Sequence, residues 1–274
     1  MRFKLYREHG ALNSPPVFDA VEQGLKRQGY DIVNDNEDVA VIWSVLWSGR
    51  MRSNKLIYDH CRQQNTPVLI IEVGNLKRGE TWRLSLDHIN NLGKFGNQDN
   101  LDYSRPQKLA VKLQPTPDIR RGEILIACQH QESLQWQGMP AMKDWVADTI
   151  SKIQQHTHRR VVVRYHPRSS FPFKKSGVTV ERPSRIPNTY DDFDIFYNYH
   201  CVINHNSGPA VQAAIQGVPI LCDQSSLAAD LSIKWSELDR PYVPDRTEWF
   251  VKLCHTEWTV EEIRQGIPIA RLFS

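Results

Sequence analysis

The chain has 274 residues, of which 40% are hydrophobic and 24% are charged, so it is long enough for one large or two medium globular domains. Its formal net charge of +3 does not by itself indicate nucleic-acid binding, because a phosphate-binding surface usually requires a concentrated basic face. No apolar run approaches the ~20 residues of a membrane-spanning helix, and the start of the sequence lacks the pattern of a signal peptide, so we expect a cytoplasmic protein with no membrane partner.

The first third of the sequence alternates between short apolar runs and helical segments. Strands are predicted over residues 3–7, 39–47 and 68–73, and helices over residues 15–28 and 51–64. Short apolar runs separated by helices are typical of parallel strands that are covered on both faces. This part of the chain is therefore predicted to form a βαβαβ unit.

Residues 74–117 have a different character, with many Asn, Gly, Asp and basic residues and little periodicity. Long irregular segments in compact domains are usually functional or disordered. The prolines of Gln114-Pro115-Thr116-Pro117 mark the predicted crossing between domains. We therefore expect an N-terminal domain over residues 1–117 and a C-terminal domain over residues 118–274, whose last helices could pack back on the first domain.

A second α/β series begins near Gly122. Its predicted strands are residues 123–128, 160–165, 178–181, 201–204 and 219–222, its predicted helices are residues 142–155 and 208–216, and residues 190–199 are helical or irregular. The predicted fold class is α/β, with two doubly wound, Rossmann-like domains facing a cleft. Ligands of open α/β sheets bind outside the carboxyl ends of the strands, so the loops at those ends are the candidate sites.

The segment from Val202 to Leu221 has the pattern of a strand, a polar turn, a helix of small residues and a second strand. Ser207 is a favourable N-cap residue for that helix. The free N–H groups and the dipole at the start of the helix favour an anion, and Gly208 has no side chain to keep a phosphate away. The alternative interpretation is an ordinary capped helix of a βαβ unit.

An apolar strand also ends in Arg164-Tyr165-His166-Pro167-Arg168. His166 can donate to a phosphate or sugar oxygen, and Arg164 or Arg168 can neutralise its charge. A single His at a strand end is usually structural. Parallel strands, however, bring this loop and the Ser207-Gly208 turn to the same edge of the sheet, which favours a shared anion site.

These two motifs, Y-H-P-R and N-S-G-x-x-x-Q-A-x-x-x-G-V-P-I, resemble the donor half of GT-B glycosyltransferases. Capsule-polysaccharide transferases and some sialyltransferase families have similar motifs. The chain more closely resembles glycosyltransferases of bacteriophages that modify hydroxymethylated pyrimidines in DNA. Four segments carry this closer resemblance, namely residues 71–76, 85–93, 229–231 and 258–266.

The resemblance implies that the C-terminal domain holds a nucleotide-sugar donor, expected to be a UDP-sugar, and that the N-terminal domain holds the acceptor. The predicted donor-binding residues are Gln129, Arg164, His166, Arg168, Asn206, Ser207, Gly208 and Gln212. Gln212 stands where many relatives have a Glu that often binds ribose. The loop Cys128–Ser133 is expected to lie under the donor.

A metal is not expected at this site. The resemblance implies a fold that usually needs none, and here the helix N-terminus and basic side chains would stabilise the departing diphosphate. The five cysteines are scattered and never spaced as C-x-x-C, so the sequence indicates neither a zinc site nor a disulfide framework.

Transfer to an acceptor hydroxyl needs a base, and glycosyl transfer commonly uses a carboxylate. The candidates are Glu72, directly after a predicted strand, then Asp87 in the irregular segment, with His88 third. Each of the carboxylates could instead be an ordinary surface group or a helix cap.

A basic cluster in the same region is predicted to bind double-stranded DNA. Lys77, Arg78 and Arg83 would contact phosphates, and Trp82 would stack or wedge against bases. The alternative is a solvated charged loop.

The leading functional prediction is a glycosyltransferase that moves a sugar from a nucleotide-sugar to the hydroxyl of a 5-hydroxymethylpyrimidine, such as 5-hydroxymethylcytosine. The modified base would be flipped out of phage DNA in the host cytoplasm. The alternatives are a transferase acting on a capsule or lipopolysaccharide saccharide, and a non-catalytic nucleotide-sugar binding protein.

Overall fold

The computed structural model describes residues 1–118, 122–183 and 196–273. The chain forms two compact units, each with its own sheet. The first unit contains Met1–Val111, Glu132–Leu134 and Val251–Ser274, and the second contains Lys112–Gln131 and Gln135–Phe250. Most of the segment predicted over residues 190–199 falls outside the described residues.

Strands and helices alternate along most of the chain. The strands are β1 (Arg2–Leu5), β2 (Asp31–Ile32), β3 (Val39–Trp43), β4 (Val68–Val73), β5 (Thr81–Leu86), β6 (Ile124–Ala127), β7 (Val161–Arg164), β8 (Val178–Glu181), β9 (Cys201–Ile203), β10 (Ile220–Leu221) and β11 (Glu257–Thr259). The α-helices are α1 (Pro15–Arg27), α2 (Asn54–Gln63), α3 (Arg105–Lys108), α4 (Met142–His156), α5 (Gly208–Ile215), α6 (Thr247–Cys254), α7 (Val260–Arg264) and α8 (Ile267–Phe273). None of the helices in the described ranges is both long enough and apolar enough to cross a membrane.

The first unit is built on a six-stranded sheet with the order β11-β5-β4-β3-β1-β2. Strands β1 to β4 pair in parallel, whereas β5 and β11 pair antiparallel. All five residues of β3 and the first four of β4 are buried, as expected for apolar strands covered on both faces. This arrangement places the residues that follow β3 and β4 at the same edge of the sheet.

Strand β5 corrects the expectation that residues 74–117 are irregular. All six of its residues are buried, and it pairs with β4 from Leu69 opposite Leu86 to Val73 opposite Trp82. Its sequence, T-W-R-L-S-L, alternates polar and apolar residues with the period of a strand. This alternation is the sequence signal for β5. The signal was missed because the polar residues Thr81, Arg83 and Ser85 are typical of an exposed loop, although they are buried here.

A buried carboxylate joins β11 to the β4–β5 turn. Glu257 has no exposed surface, and its Oε1 accepts hydrogen bonds from Asn75 N (2.6 Å) and Arg83 Nη2 (3.3 Å). Its Oε2 accepts Leu76 N (2.9 Å). A Cβ on Gly74 would lie 2.3 Å from Glu257 Oε2, so only glycine allows this close approach. The C-terminal segment thus completes the first sheet.

The second unit contains a five-stranded sheet with the order β10-β9-β6-β7-β8, and all neighbouring strands are parallel. Helix α4 buries Met142, Val146, Ile150 and Ile153, whose spacing forms one apolar face, in the same core as β6 and β7. Strands β7 and β8 add in turn on one side of β6, and β9 and β10 then add in turn on its other side. The direction of strand addition therefore reverses between β6 and β9, which is the switch point where such sheets bind ligands.

Removal of the Glu257 carboxylate should destabilise the first unit. Glu257→Ala leaves the buried Arg83 guanidinium without its ion-pair partner and two backbone amides without acceptors. Breaking a buried ion pair by removing one partner typically costs about 3–5 kcal/mol. We expect the free energy of unfolding to fall by about this amount, measured by urea denaturation followed by tryptophan fluorescence.

Glu261→Ala is the matched control, because Glu261 is an exposed carboxylate that pairs with Arg264 within α7. Exposed pairs of this kind contribute little, so the denaturation midpoint should not change. Equal losses in the two variants would mean that the Glu257 contacts do not hold β11 in place.

Candidate functional site

A buried asparagine builds the turn between β9 and α5. Asn204 Nδ2 donates to the carbonyl oxygen of Ala127, the last residue of β6 (2.8 Å), and its Oδ1 accepts Ser207 N (2.8 Å). One side chain thus ties the ends of two adjacent parallel strands together and folds the turn that starts the helix. Asn204 was not among the predicted site residues, although an Asn directly after a buried strand is a signal for such a turn.

Ser207 lies at the N-cap of α5 with an extended backbone (φ −106°, ψ −178°), but its side chain does not cap the helix. Its Oγ lies 3.0 Å from Asn204 Nδ2 instead. Pro209 has no N–H, so the first-turn donors of the helix are the amides of Gly208, Ala210 and Val211. These donors and the helix dipole favour an anion at the switch point of the sheet.

Gln129 and Asn206, both predicted donor ligands, are paired with each other. Gln129 Nε2 donates to Asn206 Oδ1 (3.1 Å), and Gln129 Oε1 accepts Asn206 N (3.2 Å). Asn206 Nδ2 donates to Ser225 Oγ (2.8 Å), and Gln135 Nε2 donates to the Asn206 carbonyl oxygen (2.8 Å). Both side chains are buried, so their contacts hold the loops after β6 and β9 in place beside α5.

His166 follows β7 and lies against His130 from the loop after β6. The two rings pack edge to face with centroids 5.1 Å apart. His166 Nδ1 accepts the backbone N–H of Arg168 (3.1 Å), so the neutral imidazole carries its proton on Nε2. Arg168 is exposed. The carboxyl edge of the second sheet therefore brings an imidazole donor and a cation to the same loop.

Arg164 forms an ion pair within the sheet. Its Nε lies 2.6 Å from Glu181 Oε1, on the neighbouring strand β8, and its Nη2 donates to Tyr199 Oη (2.9 Å). The side chain is only 11% exposed. The structure thus balances its charge with Glu181. Gln212 lies on α5, one turn after its start, and is partly buried.

Three further residues lie beside the start of α5 and were absent from the sequence prediction. His205 packs edge to face against Trp136 with centroids 5.4 Å apart, and its carbonyl oxygen accepts Asp223 N (2.8 Å). Burial lowers the pKa of His205, although the nearby Asp223 carboxylate opposes this effect, so the ring is neutral at pH 7.

Within the described ranges, no cluster of His, Cys, Asp or Glu side chains has an arrangement that could hold a metal ion.

Glu72 lies near the carboxyl end of β4 in the first unit. Ser44, which directly follows β3, donates from Oγ to Glu72 Oε2 (2.7 Å), and Val73 N donates to Glu72 Oε1 (2.9 Å). The Glu72 side chain is partly buried. The carboxylate is therefore fixed by one donor on each oxygen and remains open to a further group.

Asp87 and His88 lie at the opposite edge of the same sheet. Asp87 Oδ1 accepts the N–H of Val68, the first residue of β4 (3.0 Å), and forms an ion pair with Arg62 Nη1 (2.9 Å). The rise of a strand separates Val68 from Glu72 by about 13 Å. Burial, with the Arg62 charge, lowers the pKa of His88, against the effect of Asp87. Glu72 thus lies apart from the other two candidate bases, Asp87 and His88.

Trp82 and Arg83 were predicted to contact DNA, but the structure places both inside β5. Trp82 is 3% exposed and packs on Trp43, with ring centroids 5.1 Å apart. Arg83 is 5% exposed, and its Nη1 donates to the carbonyl oxygen of Ile89 (2.9 Å). Neither side chain reaches the surface, so neither is a DNA contact in this structure.

Lys77 and Arg78 lie in the turn between β4 and β5, at the same edge as Glu72. Both are partly exposed. Lys77 Nζ is 3.5 Å from Glu80 Oε2. Ion pairs of this kind at the surface are weak, so Lys77 can readily bind another anion in place of Glu80. Arg78 Nε is buried and has no hydrogen-bond partner among the residues that the structure describes. These two cations are the part of the predicted basic cluster that lies at the surface.

No protein-family model and no curated protein matches the sequence. Two solved structures have a similar fold over nearly their whole length. The β-Kdo 2,4 transferase of Thermosulfurimonas dismutans KpsC has a TM-score of 0.51 and 11% identity, with 98% of this chain and 98% of that chain covered. The β-Kdo 2,7 transferase of the same KpsC has a TM-score of 0.52 and 12% identity, with 98% and 99% covered. At these identities the likeness is one of fold. The chain has a mixed α/β fold of the GT-B type, with one mixed sheet and one all-parallel sheet.

Proposed function

We propose that the chain is a glycosyltransferase that uses a nucleotide-sugar donor and binds the donor phosphates at the start of α5. The single observation that carries the proposal is the position of that helix start. It lies at the switch point of an all-parallel sheet, and its first-turn amides are not capped by the Ser207 side chain. This combination of free donors and helix dipole suits a phosphate.

The same residues would stabilise the leaving group. Negative charge develops on the nucleotide phosphate as the bond to the sugar breaks, and preorganised donors lower the energy of that state. The amides at Gly208 and Ala210, the Nε2–H of His166 and the charge of Arg168 supply such donors. We propose a UDP-sugar as the donor, with Gln212 near the ribose.

We propose Glu72 as the base that removes the proton of the acceptor hydroxyl. Its carboxylate lies at the carboxyl edge of the first sheet, where ligands of α/β sheets bind, and its two described hydrogen bonds leave acceptor capacity on both oxygens. Asp87 is paired with Arg62 at the other edge. The position and the contacts therefore favour Glu72.

For the acceptor, we propose the hydroxyl of a 5-hydroxymethylpyrimidine in double-stranded DNA. The sequence resemblance to bacteriophage enzymes supports this choice, and Lys77 and Arg78 provide cations at the edge that carries Glu72. Phosphate contacts from such side chains position DNA without reading its sequence.

The second candidate acceptor is a saccharide hydroxyl, as in capsule or lipopolysaccharide synthesis. Two observations favour it: the fold likeness to β-Kdo transferases, and the burial of Trp82 and Arg83, which removes half of the predicted DNA contacts. A third possibility is a non-catalytic protein that binds the nucleotide sugar.

A single screen separates these candidates. The protein is incubated with UDP-, GDP- and CMP-sugars and with either 5-hydroxymethylated duplex DNA or a panel of saccharides, and the products are analysed by mass spectrometry. A sugar added to the nucleoside supports the DNA acceptor, and a sugar added to a saccharide supports the second candidate. Donor binding with neither transfer nor slow donor hydrolysis would overturn the proposal of an enzyme.

His166→Ala should weaken donor binding. Loss of a hydrogen bond to a charged group costs about 1.5–3 kcal/mol, so the Kd for UDP measured by calorimetry should rise roughly 10- to 100-fold. The control is His158→Ala, an exposed His in the loop between α4 and β7. An unchanged Kd for UDP in His166→Ala would remove His166 from the phosphate site.

Glu72→Gln should abolish most of the turnover. A positioned base contributes about 10²- to 10⁴-fold, so kcat should fall by this factor while the Kd for the donor stays constant. Asp87→Asn is the comparison, because its carboxylate lies at the other edge of the sheet. A large loss of kcat in Asp87→Asn with normal kcat in Glu72→Gln would reverse the assignment.

The double variant Lys77→Ala, Arg78→Ala should weaken binding to duplex DNA and reduce its salt dependence. Each phosphate contact contributes about −0.9 to the slope of log K against log salt concentration, so the slope should become shallower by about 2. The control is Lys26→Ala, Arg27→Ala at the end of α1. Equal effects of the two double variants would indicate non-specific attraction only.

A further inference from the structure

The turn after β3 holds a serine with a strained backbone beside Glu72. Ser44 has a φ of 60°, in the left-handed region that residues other than Gly, Asn and Asp rarely adopt. Such strain persists only where the surrounding structure fixes the residue, and it is concentrated at functional sites. The backbone conformation of Ser44 is therefore a reason to look for a functional role of its side chain.

Three hydrogen bonds fix Ser44. Its N–H donates to the carbonyl oxygen of Ile71 in β4 (2.8 Å), and its Oγ accepts Leu46 N (3.2 Å) and donates to Glu72 Oε2 (2.7 Å). A hydroxyl has a single hydrogen. Because Leu46 N occupies an acceptor site on Oγ, the hydrogen is directed at the carboxylate.

We propose that Ser44 is a positioning residue that holds Glu72 in the orientation in which it removes the acceptor proton. The inference rests on the proposed role of Glu72 as the base. In that step the acceptor O–H bond breaks and its proton passes to a Glu72 oxygen. The acceptor oxygen bonds to the anomeric carbon, and the leaving phosphate takes the electron pair of the broken C–O bond. Ser44 keeps its own proton throughout.

Two substitutions at Ser44 separate positioning from a purely structural role. Ser44→Gly relaxes the backbone but removes the hydroxyl, whereas Ser44→Thr keeps the hydroxyl but adds a β-branch where φ is positive. A structural role requires stability and turnover to fall together. If Ser44 positions Glu72, the two variants should rank in opposite order by melting temperature and by kcat. Ser44→Gly should melt no lower than the native protein but have a lower kcat than Ser44→Thr. Ser44→Thr should melt lower than the native protein but have a higher kcat than Ser44→Gly.

The assay measures transfer from UDP-glucose to duplex DNA that contains 5-hydroxymethylcytosine. We expect Ser44→Gly to lower kcat roughly 10- to 100-fold, the usual effect of one hydrogen bond to a charged group, with an unchanged KM for UDP-glucose. In the Glu72→Gln background, Ser44→Gly should have no further effect, because residues that act as a unit are not additive. Asn65→Gly is the backbone control, since Asn65 also has a positive φ (55°). Its kcat should not change.

The outcomes distinguish the inference from the proposed function. Loss of turnover in Glu72→Gln with normal kcat in Ser44→Gly overturns the inference alone. An additive loss in the double variant overturns it as well, since Ser44 would then act independently of Glu72. Normal kcat in Glu72→Gln removes Glu72 as the base and overturns the inference with it. Absence of transfer by the native protein overturns the proposed function and the inference together.

Discussion

Parallel strand pairing is the constraint on which both halves of this protein depend. Parallel neighbours place every loop that follows a strand at the same edge of the sheet. In the second unit this brings together the loops after β6, β7 and β9, which carry Gln129, His166 and Ser207. In the first unit it places Ser44, after β3, beside Glu72 in β4. The chemistry proposed for each unit uses groups that are distant in sequence and adjacent only because of this pairing.

Parallel pairing alone would leave these loops mobile, and buried polar side chains fix them. Asn204 bonds to the end of the neighbouring strand, and the side-chain amide of Gln129 bonds to both the side-chain oxygen and the backbone N–H of Asn206. A buried amide that lost its partner would cost about 1–3 kcal/mol, so each pair strongly disfavours other loop conformations. The start of α5 is thereby presented in one geometry, which is what stabilisation of a developing charge requires.

The sequence was sufficient to locate buried apolar strands, and β4 and β8 have the predicted bounds. It was less informative about polar residues, because their environment depends on partners far along the chain. Arg83 was predicted to lie at the surface, but its carboxylate partner is 174 residues away in β11. The same contact explains why β5 was missed.

The contrast between Glu257 and Glu72 shows how one residue type serves two purposes in the same unit. An ionised carboxylate has about four acceptor sites. Two backbone amides, Arg83 and the Thr81 hydroxyl, whose oxygen is 3.0 Å away, surround both oxygens of Glu257, which is wholly buried. These contacts join β11 to the β4–β5 turn, so the carboxylate has a structural role. Glu72 uses one site on each oxygen, to Ser44 and Val73, and is partly exposed. The remaining sites give it what a base requires: a fixed orientation and a lone pair that no donor in the described chain occupies.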